Sequence, residues 1–242
     1  MTILLLAGSV EAKKIAFGLA ALNLPTIASL AGVTRSPQPM DVPMRIGGFG
    51  GTAGFCNYLS AAGIRAVIDA THPYATQITK RTAMVCNDVM MPYLHVLRAP
   101  WVAQIGDVWT EIAREEDAAA HIPKGSTVFL GTGRQTLDRF KGLSGCRVIC
   151  RQIDPPTAPF PFEGGEFLIG RPPFTVAHEK STFAQLCIDW IVVKNAGGNA
   201  SATKLTAARE LGIPVLMIAR PAGPKALIVD NPVDALTWAQ NL

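Results

Sequence analysis

The feature that most constrains the fold is a series of short apolar runs, each followed by a segment with helical spacing. Ile3–Ala7 is a continuous apolar run, and Val10–Leu22 then carries apolar residues on one helix face. A short run without alternation fits a strand that is buried on both faces, as strands in parallel sheets are. The pattern repeats along the chain, and it predicts an α/β fold with helices on both faces of parallel sheet.

Further strands and helices follow from the same reasoning. The other predicted strands are Thr26–Ala31, Ala66–Asp69, Tyr93–Leu97, Thr127–Leu130, Arg147–Arg151, Trp190–Val193 and Val215–Ala219, and the other predicted helices run from Tyr74 to Val89, Ala202 to Leu211 and Asn231 to Leu242. A chain of 242 residues suits one large domain or two small ones. We predict two Rossmann-like domains, residues 1–98 and 99–242. The Pro-, Phe- and Gly-rich stretch Asp154–Phe174 is either a connector or a flap over a site.

Composition excludes several classes of function. The five cysteines are odd in number and irregularly spaced, and the four histidines lack metal-binding spacing, so we expect neither a disulfide framework nor a metal site. We also expect a cytosolic protein with no membrane segment, because no apolar stretch reaches membrane-spanning length. Residues 1–98 carry eight Lys/Arg and four Asp/Glu, whereas residues 99–242 carry fourteen of each. That scattered excess suits a solvated surface or a small anionic ligand rather than nucleic acid.

Ligands of open parallel sheets bind beyond the carboxyl ends of the strands, so the residues after each predicted strand are the candidates for a site. In the first domain, Gly8 opens a turn before a helix whose free N–H groups can face a phosphate. Arg35 stands where an NAD enzyme would keep an acid, and it is our candidate for the 2′-phosphate of NADPH. The glycines of Ile46–Gly54 allow close approach of a cofactor. The predicted cofactor-binding residues are Gly8, Ser9, Val10, Glu11, Thr34, Arg35, Ser36, Gly47, Gly48, Phe49, Gly50 and Thr71.

Two further side chains follow the third predicted strand. Pro73 suits the first turn of a helix, which would leave Thr71 or His72 as its cap. His72 and Tyr74 would then lie at the edge of the site, where an imidazole can donate a proton or a hydrogen bond. We predict His72 and Tyr74 as the catalytic or orienting residues, and a capping histidine is the structural alternative.

The second domain repeats the pattern with cations at its strand ends. Arg134, Lys194 and Lys204 can converge on anionic groups, and Arg220 can join them. Chance placement of ordinary surface cations is the alternative. The predicted substrate-binding residues are Thr132, Gly133, Arg134, Lys194, Asn195, Gly197, Gly198 and Lys204.

These segments resemble a known family over nearly the whole chain. AGSVEA, GGFGG, DATHPYA, GTGR, GRPPF and the block KNAGG–TKL–AAR–LGIPV are similar to those of precorrin-6A reductases. The resemblance implies two Rossmann-like domains, with allowance for a strand exchanged between them. It implies hydride transfer from NADPH to a ring D carbon–carbon double bond of precorrin-6A, giving precorrin-6B in cobalamin biosynthesis. The many carboxylates of such a tetrapyrrole agree with the strand-end cations.

Three alternative functions compete with this one, and the first is discounted because its catalytic pair is absent. A short-chain dehydrogenase would carry Tyr-x-x-x-Lys, and none of the three tyrosines is followed by lysine four residues later. A nucleotide-sensing module without chemistry would need only the first domain. A reductase of the cobalt-containing substrate is the third, and the oligomeric state stays undetermined.

Overall fold

The computed structural model describes residues 1–32 and 38–242 of the chain. Its strands are β1 (Thr2–Ala7), β2 (Thr26–Leu30), β3 (Met44–Ile46), β4 (Ile64–Ala70), β5 (Tyr93–Val96), β6 (Trp109–Ile112), β7 (Thr127–Leu130), β8 (Arg147–Gln152), β9 (Gly165–Ile169), β10 (Trp190–Lys194), β11 (Val215–Ile218) and β12 (Leu227–Val229). Its α-helices are α1 (Val10–Ala21), α2 (Gly51–Ala61), α3 (Thr76–Asp88), α4 (Val176–Gln185), α5 (Thr203–Leu211) and α6 (Pro232–Gln240). Three 3₁₀ helices cover Glu115–Ala120, Arg134–Leu143 and Asn199–Ser201.

The chain divides into two compact units. The first unit comprises Met1–Ala99 and Pro221–Leu242, and the second comprises Pro100–Arg220. Sequence reasoning assigned everything after residue 98 to the second domain, and that assignment is wrong for the last 22 residues. They belong to the first unit because β12 pairs with β5 and α6 buries Ala235 and Ala239 in that unit's core.

The first unit is built on a six-stranded parallel sheet with the order β3-β2-β1-β4-β5-β12. In β1, Ile3 and Leu5 pack on α1, whereas Leu4 and Leu6 pack on the face that carries Phe55 of α2. A strand covered on both faces has to be apolar at every position, which explains the run at the amino terminus.

The second unit holds another six-stranded parallel sheet, with the order β9-β8-β7-β10-β11-β6. Its core joins Phe129 of β7 and Ile191 of β10 to Phe183 of α4 and Leu205 of α5. The predicted α/β fold with two Rossmann-like parallel sheets is therefore confirmed.

Each sheet takes one edge strand from the segment that follows the other sheet's strands along the chain. After β5, the next strand along the chain is β6, yet β6 joins the second sheet. After β11, the next strand is β12, yet β12 joins the first sheet. The two units have thus exchanged their sixth strands, in the manner that the family resemblance allowed for.

The carboxyl-terminal helix closes the first unit. Asn231 accepts a hydrogen bond from the backbone of Asp234, and Pro232 occupies the first helical position, where its missing N–H costs nothing. A Cβ at Gly18 of α1 would lie 2.4 Å from the side chain of Leu236, so a larger residue there would force Leu236 of α6 to shift.

Two local features differ from the sequence interpretation. Helix α3 begins at Thr76 with Ala75 as its cap, so neither Thr71 nor His72 caps it. The stretch Asp154–Phe174 contains the edge strand β9 rather than being only a connector or a flap. Among the described residues, no helix has the length and apolar character needed to cross a bilayer.

Candidate functional site

Two strand-to-helix turns lie side by side in the first unit. The hydroxyl of Ser9 donates to the carbonyl of Ala70 at 2.8 Å and accepts from the backbone N–H of Ala12 at 3.2 Å. Ser9 therefore caps α1 and ties the β1–α1 turn to the end of β4. A Cβ at Gly8 would lie 3.4 Å from the backbone nitrogen of His72, so the two turns pack closely at this glycine.

A buried carboxylate organises the turn after β4. Asp69 is fully buried and accepts from the backbone N–H of Thr71 at 3.1 Å, from the Thr71 hydroxyl at 2.7 Å and from the Tyr93 hydroxyl at 3.0 Å. Burial and the Asp69 charge raise the pKa of Tyr93, so the phenol stays protonated and donates. Burial lowers the pKa of the neighbouring His95, although the Asp69 charge opposes the change.

His72 and Tyr74 lie together on this turn. Their ring centroids are 5.8 Å apart, and the backbone N–H of Tyr74 donates to Nδ1 of His72 at 3.3 Å. Because Nδ1 accepts, a neutral imidazole in this arrangement carries its proton on Nε2. The local structure therefore orients the ring as a donor through Nε2.

The glycine loop leads into α2. Gly50 adopts a left-handed conformation at the helix cap with φ of 74°, and Gly47 has φ of 114°. A Cβ at Gly47, Gly48 or Gly50 would meet no atom within 4 Å, so the space beside the loop backbone is open. Phe49 points into the protein and packs on Phe55 with centroids 4.8 Å apart.

An ion pair lies at the first turn of α1. Arg98 donates to Glu11 at 2.6 Å, and both side chains are largely buried. Burial raises the pKa of Glu11, but the hydrogen bond from its own backbone N–H and the Arg98 charge outweigh this and hold the pKa below 4.5. Arg98 thereby neutralises a carboxylate that would otherwise repel an anion at this helix terminus.

The second unit places Lys204 across the ends of β7 and β10. A Cβ at Gly131 would lie 3.0 Å from Val193 and 3.6 Å from the Lys204 side chain. The ammonium group donates to the carbonyl of Ser201 at 2.7 Å and lies 5.7 Å from the centroid of the Trp101 ring. Burial lowers the pKa of Lys204 from 10.5 to about 8, with Glu179 opposing and Arg151 reinforcing the change.

Other predicted residues of the second unit are engaged in holding the fold. Lys194 lies 3.4 Å from the buried carboxylate of Glu115 and 3.3 Å from the Thr136 hydroxyl. Asn195 accepts from the backbone N–H of Trp101 at 2.8 Å and donates to its carbonyl at 3.0 Å. The carbonyl of Gly198 accepts from the Trp101 indole at 2.9 Å.

The remaining predicted residues have these positions. Gly133, with φ of 75°, and the exposed Arg134 begin the 3₁₀ helix after β7, and Gly197 has φ of 69°. The Thr132 hydroxyl is buried without a hydrogen-bond partner among the described residues. Arg220 donates to the carbonyl of Asn195 at 2.6 Å. The predicted cofactor residues Thr34, Arg35 and Ser36 lie outside the described residues.

Sequence reasoning missed a buried ion pair in the second unit. Arg151 donates to both oxygens of Glu179 at 2.8 and 2.7 Å, and its guanidinium lies over Phe129 and Phe174. The position of Arg151 at the end of an apolar strand could have indicated a buried arginine. Nothing in the sequence indicated that Glu179 was its partner. No group of three or more His, Cys, Asp or Glu side chains able to hold a metal ion occurs in residues 1–32 and 38–242.

Comparison with known proteins gives a consistent result. The family model for precorrin-6x reductase CbiJ/CobK matches residues 2–240. A precorrin-6A reductase of Rhodobacter capsulatus is 40% identical over 237 residues, covering 98% of this chain and 94% of the relative. A precorrin-6A reductase of Rhodococcus erythropolis is 40% identical over 243 residues, covering 99% and 98%.

More distant and structural matches agree with these. A cobalt-precorrin-6A reductase of Priestia megaterium is 25% identical over 238 residues, covering 90% of each chain. A solved structure of CobK precorrin-6A reductase has a TM-score of 0.95 and 38% identity, covering 100% of this chain and 96% of that one.

Proposed function

The chain belongs to the precorrin-6x reductase CbiJ/CobK family, and on that premise we propose that it transfers a hydride from NADPH to a ring D carbon–carbon double bond of precorrin-6A, giving precorrin-6B. The observation that carries this is a match over residues 2–240 together with 40% identity to precorrin-6A reductases. Members of the family are reductases, which disfavours the alternative of a sensor without chemistry.

The geometry of the first unit fits a dinucleotide. The capped amino terminus of α1 offers its first backbone N–H groups, and Arg98 cancels the charge of Glu11 beside them. Open space beside Gly47, Gly48 and Gly50 leaves room for a ligand against the backbone. When bound, NADPH supplies the hydride, and the protein has to orient it. Arg35, with Thr34 and Ser36, remains our sequence-based candidate for the 2′-phosphate.

The second unit offers groups for the carboxylates of the tetrapyrrole. Lys204 and Arg134 are the cations we assign to them, with the Thr132 hydroxyl and the backbone at Gly133 as neutral donors. The Lys204 ammonium is buried beside Trp101, and the low dielectric of this surrounding strengthens its attraction for a carboxylate. Lys194 and Asn195 remain proposed contacts of the substrate. Lys194 also pairs with Glu115, and Asn195 forms two hydrogen bonds with the backbone of Trp101, so both residues also support the fold.

Addition of a hydride to one carbon requires a proton at its neighbour. A conjugated macrocycle delocalises charge as the hydride arrives, so the protein mainly aligns two large planar partners. We propose that His72 and Tyr74 orient the reacting edge, because the Asp69 network fixes their turn and Nδ1 of His72 accepts from the Tyr74 backbone.

An anaerobic assay tests the function. Purified protein is mixed with NADPH or NADH and with either metal-free or cobalt-containing precorrin-6A, and the fall in reduced-cofactor absorbance is followed with the tetrapyrrole spectrum. We expect stoichiometric NADPH oxidation with metal-free precorrin-6A, since the more similar relatives carry that name. Turnover only with the cobalt-containing substrate would reject the metal-free assignment, and binding of NADPH without turnover of either substrate would reject the reductase.

A further inference from the structure

Two arginines flank the glycine loop of the first unit. The guanidinium carbon of Arg45, on β3, lies 4.0 Å from the centroid of the Phe49 ring and 4.9 Å from that of Tyr58. The guanidinium carbon of Arg81, on α3, lies 5.6 Å from the Phe49 centroid and 5.1 Å from that of Phe55. Phe49 therefore has a cation from each of two elements packed against it, and we call Arg45 and Arg81 the arginine pair.

The arginine pair lacks a counterion within the part of the chain that the structure describes. Three other partly buried arginines have one: Arg98 pairs with Glu11, Arg151 with Glu179 and Arg209 with Asp107. Nε of Arg81 is buried without a hydrogen-bond partner among the described residues, and burial alone lowers its pKa. Both guanidinium groups are only partly buried and lie beside the same Phe49 ring, so together they form a cationic site that an anion from outside the chain would stabilise.

Arg45 is held in a defined orientation. One terminal nitrogen donates to the Ser29 hydroxyl at 2.7 Å and to the carbonyl of Gly47 at 3.0 Å, and the other donates to the carbonyl of Gly48 at 3.0 Å. A guanidinium has five N–H donors, so these three bonds leave donors for a ligand. Ser29 precedes the last residue of β2, which puts the Arg45 head near the carboxyl end of that strand.

The position of the arginine pair in the sheet indicates which anion it would meet. In a Rossmann-like sheet of this order, the end of the second strand is where the ribose 2′ position of a dinucleotide is recognised, and arginine accommodates a 2′-phosphate there. A planar guanidinium can bind a phosphate through two parallel hydrogen bonds, which a single point charge such as an ammonium cannot do. The Arg45 guanidinium contacts the carbonyls of Gly47 and Gly48, and the space beside both glycines is open.

We propose that Arg45 and Arg81 together bind the 2′-phosphate of NADPH and thereby set the preference for NADPH over NADH. The inference rests on the proposed function, which names NADPH as the hydride donor. It adds to Arg35 two residues that sequence reasoning did not identify. Arg45 contacts the anion from the loop side, and Arg81 supplies the second charge from α3.

Binding of cofactor fragments tests this without turnover. The probes are 2′,5′-ADP and 5′-ADP, measured by calorimetry on the purified full chain. Arg81→Met keeps an apolar stem against Phe49 and Phe55, and we expect it to weaken 2′,5′-ADP by about 10- to 100-fold, as for loss of a charge-assisted hydrogen bond. Affinity for 5′-ADP should change by less than about twofold, and thermal stability should change little, because Arg81 forms no ion pair within the described residues and its apolar stem is kept.

Arg45→Gln should give the same selective loss, and Arg65→Met is the matched control. Arg65 is an exposed arginine at the amino end of β4, so its replacement should leave the affinity for both fragments unchanged.

Equal weakening of both fragments in both variants would overturn the proposal and make the arginine pair a support for the glycine loop. A raised KM for precorrin-6A with unchanged 2′,5′-ADP affinity would also overturn it, because the anion would then be a substrate carboxylate. If the unsubstituted protein reduces precorrin-6A yet binds both fragments equally, only the inference fails. If it binds neither NADPH nor NADH, the proposed function fails.

Discussion

Burial of the Lys204 charge lowers the stability of the fold near neutral pH, at a residue that we propose binds the substrate. Its pKa falls from 10.5 to about 8, because burial disfavours the charged form in the folded state. The unfolded chain therefore holds this proton more tightly than the folded one, so stability rises with pH between about 8 and 10.5. Below pH 8 the full cost of the buried charge is present.

We expect Lys204→Met to be more stable than the unsubstituted protein at pH 7, by about 1–3 kcal/mol. The difference should shrink as pH rises through the interval from 8 to 10.5. The KM for the tetrapyrrole should rise while NADPH affinity stays nearly constant. Denaturant unfolding across this pH range and steady-state kinetics check both, with the exposed Lys180→Met as control. Loss of NADPH affinity instead would contradict the assignment of Lys204 to the substrate.

His72 is expected to orient rather than to donate the proton. His72→Ala should lower kcat by less than the ~10²–10⁴-fold that a general acid contributes, and the pH–rate profile should keep its shape. Solvent and primary deuterium isotope effects on both proteins separate proton transfer from hydride transfer. A loss near the top of that range, with one ionisation missing from the profile, would make His72 the proton donor.

At this scale the sequence identifies residue types at strand ends but not their partners. Gly8 and Thr71 lie in turns at strand ends, and Lys204 lies across the ends of two strands. These positions could be predicted because ligands of a parallel sheet bind beyond the carboxyl ends of its strands, which follows from topology alone. It could not separate Lys194 from Lys204, since Glu115, which pairs with Lys194, comes from a segment far away in the chain. The arginine pair was missed for the same reason.

At the scale of elements, α2 depends on a glycine that the pattern treated as loop. A Cβ at Gly54 would lie 1.8 Å from the carbonyl oxygen of Phe49, so only glycine lets the loop fold back on the helix. We expect Gly54→Ala to lower the free energy of unfolding by about 1–3 kcal/mol and to weaken NADPH binding. Gly48→Ala, with open space and a φ that is not positive, should change stability by less than about 0.5 kcal/mol. Equal destabilisation by both substitutions, in denaturant titrations, would refute the steric account.

Interior strands were predicted from sequence, and edge strands were not. β1, β4, β7 and β10 are apolar on both faces and stand out as continuous runs. β3, β9 and β12 lie at sheet edges with exposed positions, so their residues carry no continuous apolar signal. Their pairing is decided by the sheet next to them rather than by local pattern.

At the scale of the whole molecule, the first unit depends on the end of the chain. Truncation after Arg220 removes β12 and α6, and with them the core residues Ala235 and Ala239. We expect this variant to lose cooperative unfolding of the first unit and to be degraded quickly by protease. A chain ending at Gln240, which lacks only two exposed residues, should behave as the full chain does. Native-like protease resistance of residues 1–99 in the longer truncation would contradict this dependence.

The exchanged sixth strands also impose an order on biosynthesis. When Ala99 leaves the ribosome, five strands of the first sheet exist, but its last strand and covering helix are still to be translated. At ~5–20 residues per second, the intervening second unit delays them by on the order of 10 s. The second sheet already has its full set of strands once β11 emerges. The amino-terminal unit is therefore the last to close, and an incomplete nascent chain presents the bare edge of β5 throughout that interval.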